Sequence, residues 1–315
     1  MIAVLAVLAL AQGQLEVSHR KVVASDGAAV ALYRYSPPGR GEGQRPVLLI
    51  ADLGFGRQLF DLDGRGLARA LVARGRTVYV AELRGQGAAA PGPDGELVDL
   101  VLRDLPAVAR AIPEPTFDLV AHGWAGALAL AAVPVEFAGR VGRVAAIATP
   151  ADADVPSALV EKVLHAGGAL SSLAQDPDGR AALEQLFAVR STIPPRELST
   201  QLALLGDLGP RRARSLLRWM QRHDLELGPG DSVRARLSRL DRPTILVLGL
   251  ADGWVGPELA APLREFAPRA QVRILSLSSA ELAAEDYGHL SLLRGAKAAR
   301  DVWAPIVAFL EEPLP

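Results

Sequence analysis

The chain has 315 residues, 50% of them hydrophobic and 22% charged, with a formal net charge of −1. That is enough to bury a sizeable core as one large domain or as a domain carrying an insertion. The near-neutral balance gives no electrostatic case for nucleic acid or other polyanions. The absence of cysteine excludes disulfides, thiolate nucleophiles and cysteine-based zinc or iron–sulfur sites.

In chain order, Met1 to Ala11 is an apolar run closed by Ala9-Leu10-Ala11, a small-x-small triplet of the kind signal peptidase accepts, followed by polar Gln12-Gly13-Gln14. It lacks a basic start and is too short to span a bilayer as a helix. Two readings stay open for residues 1–15. Either they are a signal or anchor remnant, giving an exported or envelope-associated protein with membrane contact through this segment, or they pack on the body of a cytoplasmic one. From Val17, strand-like runs flank a turn at Ser25-Asp26-Gly27, predicting an antiparallel hairpin that ends near Tyr35. Pro37 to Gln44 is rich in breakers and reads as a loop.

Short apolar runs then alternate with helical patterns, the signature of a parallel sheet covered by helices on both faces. The expected strands are Val47–Ile50, Thr77–Val80, Phe117–Val120, Val144–Ile147, Thr244–Leu248 and Val272–Leu275. The expected helices include Asp63–Arg74, Asp99–Ile112, Ala125–Val133, Pro257–Phe266 and Ala298–Leu310. Between about Pro150 and Leu240 the pattern is helical, with no convincing strand. Arg211 to His223 is the clearest helix there, with Leu216, Leu217 and Met220 on one face and Arg211, Arg214, Arg218 and Arg222 on a solvated one. An all-helical insertion this late in a parallel sheet suggests a cap over the strands' carboxyl ends, where open α/β sheets bind ligands. The expected organisation is an α/β core over 16–149 and 241–315, with a helical cap over 150–240.

Five stretches carry a family resemblance: Pro46–Ile50 with Leu53-Gly54; Val78-Tyr79-Val80-Ala81-Glu82-Leu83-Arg84-Gly85-Gln86-Gly87; Leu119-Val120-Ala121-His122-Gly123-Trp124-Ala125-Gly126; Leu246 to Val255; and Asp286-Tyr287-Gly288-His289-Leu290. In this order they resemble the α/β-hydrolases, most closely the cap-bearing esterase and lipase-like members. The resemblance implies that fold and carboxylic-ester chemistry run by a serine, an acid and a histidine in that chain order. It also implies departures. Family members read Gly-x-Ser-x-Gly at the strained turn after the fifth strand. This chain has Ala121 at the first glycine and Gly123 where the serine belongs. Glycine keeps the turn's backbone and removes its chemistry. Asp252 and His289 stand at the acid and base positions, and a hydrogen bond between them is expected.

In the loop after the third strand, where the family commonly has His-Gly and a backbone N–H for the oxyanion, this chain has Ala51-Asp52 before Leu53. An inward Asp52 carboxylate opposes the charge of an acyl-transfer transition state. Turned outward, or paired with Arg57, it leaves the backbone usable together with the N–H of Trp124. Trp124 and Trp254 either line a pocket, giving it an apolar character suited to a small apolar or acyl-type ligand, or belong to the core.

Gly54-x-Gly56 lacks the third glycine of a dinucleotide loop, and no histidines are spaced as metal ligands on one helix. No cofactor or metal is therefore expected. His122, beside the elbow, reads as a packing residue. Taken together, the residues point to a protein inactive or severely impaired as a hydrolase, serving as a ligand-binding, sensing or scaffold protein. The alternatives are acyl-ester hydrolysis by a water activated through Asp252 and His289, and a serine supplied from elsewhere, such as Ser171 or Ser172.

Overall fold

A computed structural model describes residues 15–37, 44–90, 92, 94–154, 158–165, 167–188, 192–281, 283 and 285–314. The apolar segment before Leu15 and most of the expected 37–44 loop lie outside the described residues. The hairpin forms as β1 (Glu16–Val23) and β2 (Ala29–Ser36), paired antiparallel from Glu16 opposite Ser36 to Val23 opposite Ala29. It joins β3 (Val47–Ile50), β4 (Val78–Glu82), β5 (Phe117–His122) and β6 (Val141–Ile147). Within residues 150–240 the helices are accompanied by a small antiparallel ribbon, β7 (Glu226–Gly228) and β8 (Asp231–Ser232). β9 (Thr244–Gly249) and β10 (Val272–Leu277) complete the sheet.

The eight-stranded order is β1-β2-β4-β3-β5-β6-β9-β10, antiparallel across β1-β2 and β2-β4 and parallel elsewhere. Every residue of β3, β4, β5, β6 and β9 is buried. Covering both faces of a parallel sheet is why these strands read as uninterrupted apolar runs rather than as alternations.

Two expected helices, and the all-helical reading of residues 150–240, need correction. The helix expected from Asp63 begins at Leu67, because Asp63 adopts a left-handed conformation (φ 52°) in a turn bridged by Leu62 and Arg65. Pro257–Phe266 is two short helices, Pro257–Ala260 and Leu263–Phe266, separated at Pro262, whose ring cannot continue an i to i−4 ladder. The ribbon of β7 and β8 was not anticipated, since strands of three and two residues carry no periodicity.

Helix Gly123–Ala132 follows β5 directly and is buried along its whole length. Its small residues let it lie close to the sheet: a Cβ on Gly126 would meet Thr149 Oγ1 at 2.7 Å. Helix Pro210–Arg222 buries Leu216, Leu217, Trp219 and Met220 and exposes Arg211, Arg214, Arg218 and Arg222. Residues from this part of the chain touch the loops at the carboxyl ends of β3 and β4. Gly206 donates its N–H to the Gly54 carbonyl at 2.7 Å, Gln201 donates to the Gln58 carbonyl at 2.9 Å, and the Arg212 guanidinium lies over Gly85. Among the described residues no helix is long and apolar enough to cross a membrane.

Candidate active site

The site is assembled where β3, β5 and β9 end. Because β3 and β5 pair in parallel with Ile50 opposite Ala121, the residues two further on, Asp52 and Gly123, become neighbours. Gly123 has φ +63°, the left-handed value that glycine adopts without the Cβ penalty. The elbow's geometry is therefore present, and its side chain is absent. A Cβ placed on Gly123 would stand 2.0 Å from Asp52 Cγ and 2.3 Å from Asp52 Oδ2. The Asp52 carboxylate fills the space where the side chain of an elbow residue would project.

Asp52 points inward, so the outward orientation and the pairing with Arg57 are not adopted. Arg57 instead donates to the Tyr35 hydroxyl at 3.2 Å, with its guanidinium over the Tyr33 ring. Fully buried, the Asp52 carboxylate accepts from the indole Nε1–H of Trp254 at 2.8 Å, the ring Nε2–H of His289 at 3.1 Å and the backbone N–H of Ala125 at 3.1 Å. The last donor belongs to the first turn of helix Gly123–Ala132, where free N–H groups favour an anion. Burial pushes this carboxyl up, but the hydrogen bond and charge of His289 outweigh it and hold the group below the usual carboxylate range.

His289 is clasped from its other side. Its Nδ1 lies 2.9 Å from Asp252 Oδ2, and Asp252 Oδ1 accepts the N–H groups of Trp254 and Val255, both at 2.8 Å. Burial opposes the imidazolium, yet the charge and hydrogen bond of Asp252, reinforced by Asp52, raise His289 to about 9. Both ring nitrogens are thus engaged by carboxylates. His122 sits directly beneath, its ring centroid 4.2 Å from that of His289, with its Nε2–H toward the His289 carbonyl at 3.3 Å. Burial, together with the charge of His289, pushes His122 down to about 3.

Both tryptophans follow the core reading. Trp254 is bound to Asp52, whereas Trp124 packs edge-on against Trp219 (5.2 Å), its indole nitrogen without a hydrogen-bond partner among the described residues. Both are buried rather than lining an open pocket. Leu53 is buried as well, and Phe55 and Phe187 pack beside His289 with centroids 6.4 and 5.9 Å away. Ser171 and Ser172 lie on a separate helix, Leu170–Gln175. The residue whose role the sequence underdetermined is Trp254, whose indole donor is spent on a carboxylate 202 positions away.

Comparison with solved structures fits this geometry. The chain has the α/β-hydrolase fold. It superposes on an esterase from Exiguobacterium antarcticum with a TM-score of 0.67 at 14% identity, over 93% of this chain and 99% of that one. A bromoperoxidase from Bacillus anthracis gives 0.66 at 16% identity, over 94% and 100%. A hydrolase from Pseudomonas aeruginosa gives 0.64 at 20%, over 95% and 99%. No family model and no curated sequence matches the chain. On an α/β-hydrolase fold the elbow after β5, the loop after β3 and the histidine loop converge as described, and here the convergence brings a second carboxylate to the histidine.

Proposed function

We propose that this chain is a non-hydrolytic protein built on the esterase- and lipase-like form of the fold, acting as a binding or scaffold protein, with residues 150–240 as a cap over a closed site. The observation that carries this reading is the Asp52 carboxylate seated beside Gly123 and hydrogen-bonded to His289 Nε2. Acyl transfer needs a nucleophile at the elbow, a base with a free lone pair, and donors aimed at the developing oxyanion. Asp52 stands in the nucleophile's space, satisfies the ring nitrogen that would accept a proton, and takes an N–H of the elbow helix. Its negative charge also repels the oxyanion that those donors would otherwise stabilise.

The same geometry weighs against the alternatives. A water attacking through Asp252 and His289 needs an unprotonated Nε2, and the two flanking carboxylates favour the imidazolium. A serine supplied from Ser171 or Ser172 would find both ring nitrogens already engaged. The ligand is expected on the protein's outer surface or beneath a displaced cap rather than at His289.

The test compares native protein, Gly123→Ser and the double variant Asp52→Gly/Gly123→Ser with short and long acyl esters and a fluorophosphonate probe. Native protein and Gly123→Ser should show neither labelling nor turnover above a His289→Ala control. The double variant should gain covalent labelling at residue 123. Native turnover abolished by His289→Ala would overturn the proposal in favour of the water mechanism.

A further inference from the structure

Asp52, His122 and His289, widely separated in sequence and fully buried, each bring one ligand-capable atom within 4.8 Å of the other two. The donor types are two imidazoles and one carboxylate, a set suited to zinc and its first-row neighbours. His289 Nε2 and Asp52 Oδ2 are 3.1 Å apart, close to the roughly 3.3 Å edge of a tetrahedron whose donors lie about 2.0–2.2 Å from zinc.

His289 has the support that metal-binding imidazoles typically have, since its other nitrogen is hydrogen-bonded to the Asp252 carboxylate. His122 brings an independent observation. With its Nε2–H directed to the His289 carbonyl, its Nδ1 has no hydrogen-bond partner among the described residues although the residue is entirely buried. A buried polar atom without a partner is uncommon and calls for a ligand or another cause. Charge points the same way. Asp52 and Asp252 place two carboxylates around one imidazole, and neither accepts a hydrogen bond from lysine or arginine among the described residues.

We infer that Asp52, His122 and His289 form a site for a zinc-type divalent cation, with Asp252 orienting His289. On binding, the cation takes the place of the proton between His289 Nε2 and Asp52, and that proton leaves to solvent. Two positive charges then balance the two carboxylates. Three protein donors leave a fourth position of the tetrahedron to be filled by a water or another small ligand. The inference goes beyond the function proposed above and does not depend on it, since metal content is measured without any turnover.

The experiment is elemental analysis of protein purified without chelator from zinc-supplemented cells, alongside Asp52→Asn and His122→Asn. Wild type should retain about one zinc per chain, and each variant should fall roughly tenfold. Wild-type protein refolded with cobalt(II) should show the intense visible bands of a tetrahedral site, and X-ray absorption should give a nitrogen and oxygen shell with imidazole scattering. These wild-type measurements decide the matter if a variant fails to fold. Wild-type zinc below about 0.1 per chain with no cobalt bands would overturn the site. So would metal retained unchanged in both variants, or a shell without imidazole.

Discussion

Strand β5 has a buried carboxylate beside each of its ends, and the two are compensated differently. Near its start, Asp118 accepts from the guanidinium of Arg45 at 3.0 Å, from that of Arg76, and from the backbone N–H of Arg143 at 2.8 Å. Beyond its finish, Asp52 is held by an indole, a backbone N–H and one imidazole that it shares with Asp252. Guanidinium groups keep their charge at any pH a protein survives, whereas an imidazole can give its charge up. The first end is therefore a permanent ion cluster. The second retains groups of the kind that move protons, now fixed against one another.

The largest expected effect tests that contrast. Asp118→Ala leaves the Arg76 guanidinium, only 4% exposed, without its carboxylate and should cost about 3–5 kcal/mol. Asp52→Ala should cost less, about 1–3 kcal/mol, because His289 can become neutral and only hydrogen bonds are left unmade. Urea unfolding of chelator-treated protein reads both values. Equal losses, or the reverse order, would break the comparison.

Gly123→Ser comes next. Its Cβ collides with Asp52 in a left-handed conformation, and a loss of about 2–4 kcal/mol is expected. Adding Asp52→Gly removes the obstacle, so the double variant should be more stable than the sum of the single changes by at least about 1 kcal/mol. Simple additivity, read from the same urea curves, would mean that the two positions do not share one space.

The fold was legible because its strands are buried on both faces and so appear as short apolar runs between helical periods, with Gly and Asp turns marking the hairpin. Gly123, Asp252 and His289 could be placed because the stretches around them resemble the family's, in the family's order. The direction of Asp52 could not, since a carboxylate after a strand ordinarily faces water, and its partners Trp254 and His289 lie 202 and 237 positions away. One signal was available: adjacent parallel strands ending at Ile50 and Ala121 make Asp52 and Gly123 neighbours, and a glycine there leaves room for a carboxylate. The cluster of Asp52, His122 and His289 leaves no spacing signal in the sequence, because its donors come from three separate segments.

The smallest effect separates burial from charge near the Asp118 end. Arg74 and Glu311 form two hydrogen bonds of 2.9 and 2.8 Å, with side chains 58% and 30% exposed. Water already solvates both partners, so Arg74→Ala should cost far less than Asp118→Ala, and less still in high salt. The hydrogen bonds and charge of Arg74 hold the Glu311 carboxyl below its ordinary value of 4.5. A depressed carboxyl contributes its stability above the unfolded value and loses it as the pH falls through the folded one. The gap between wild type and Arg74→Ala should therefore be constant at neutral pH and close on acidification below 4.5. If thermal unfolding across that range gave a gap as large as that of Asp118→Ala, charge pairing alone would set the strength of this end of the sheet. The contrast between the two ends of β5 would then rest on the number of cations rather than on their burial.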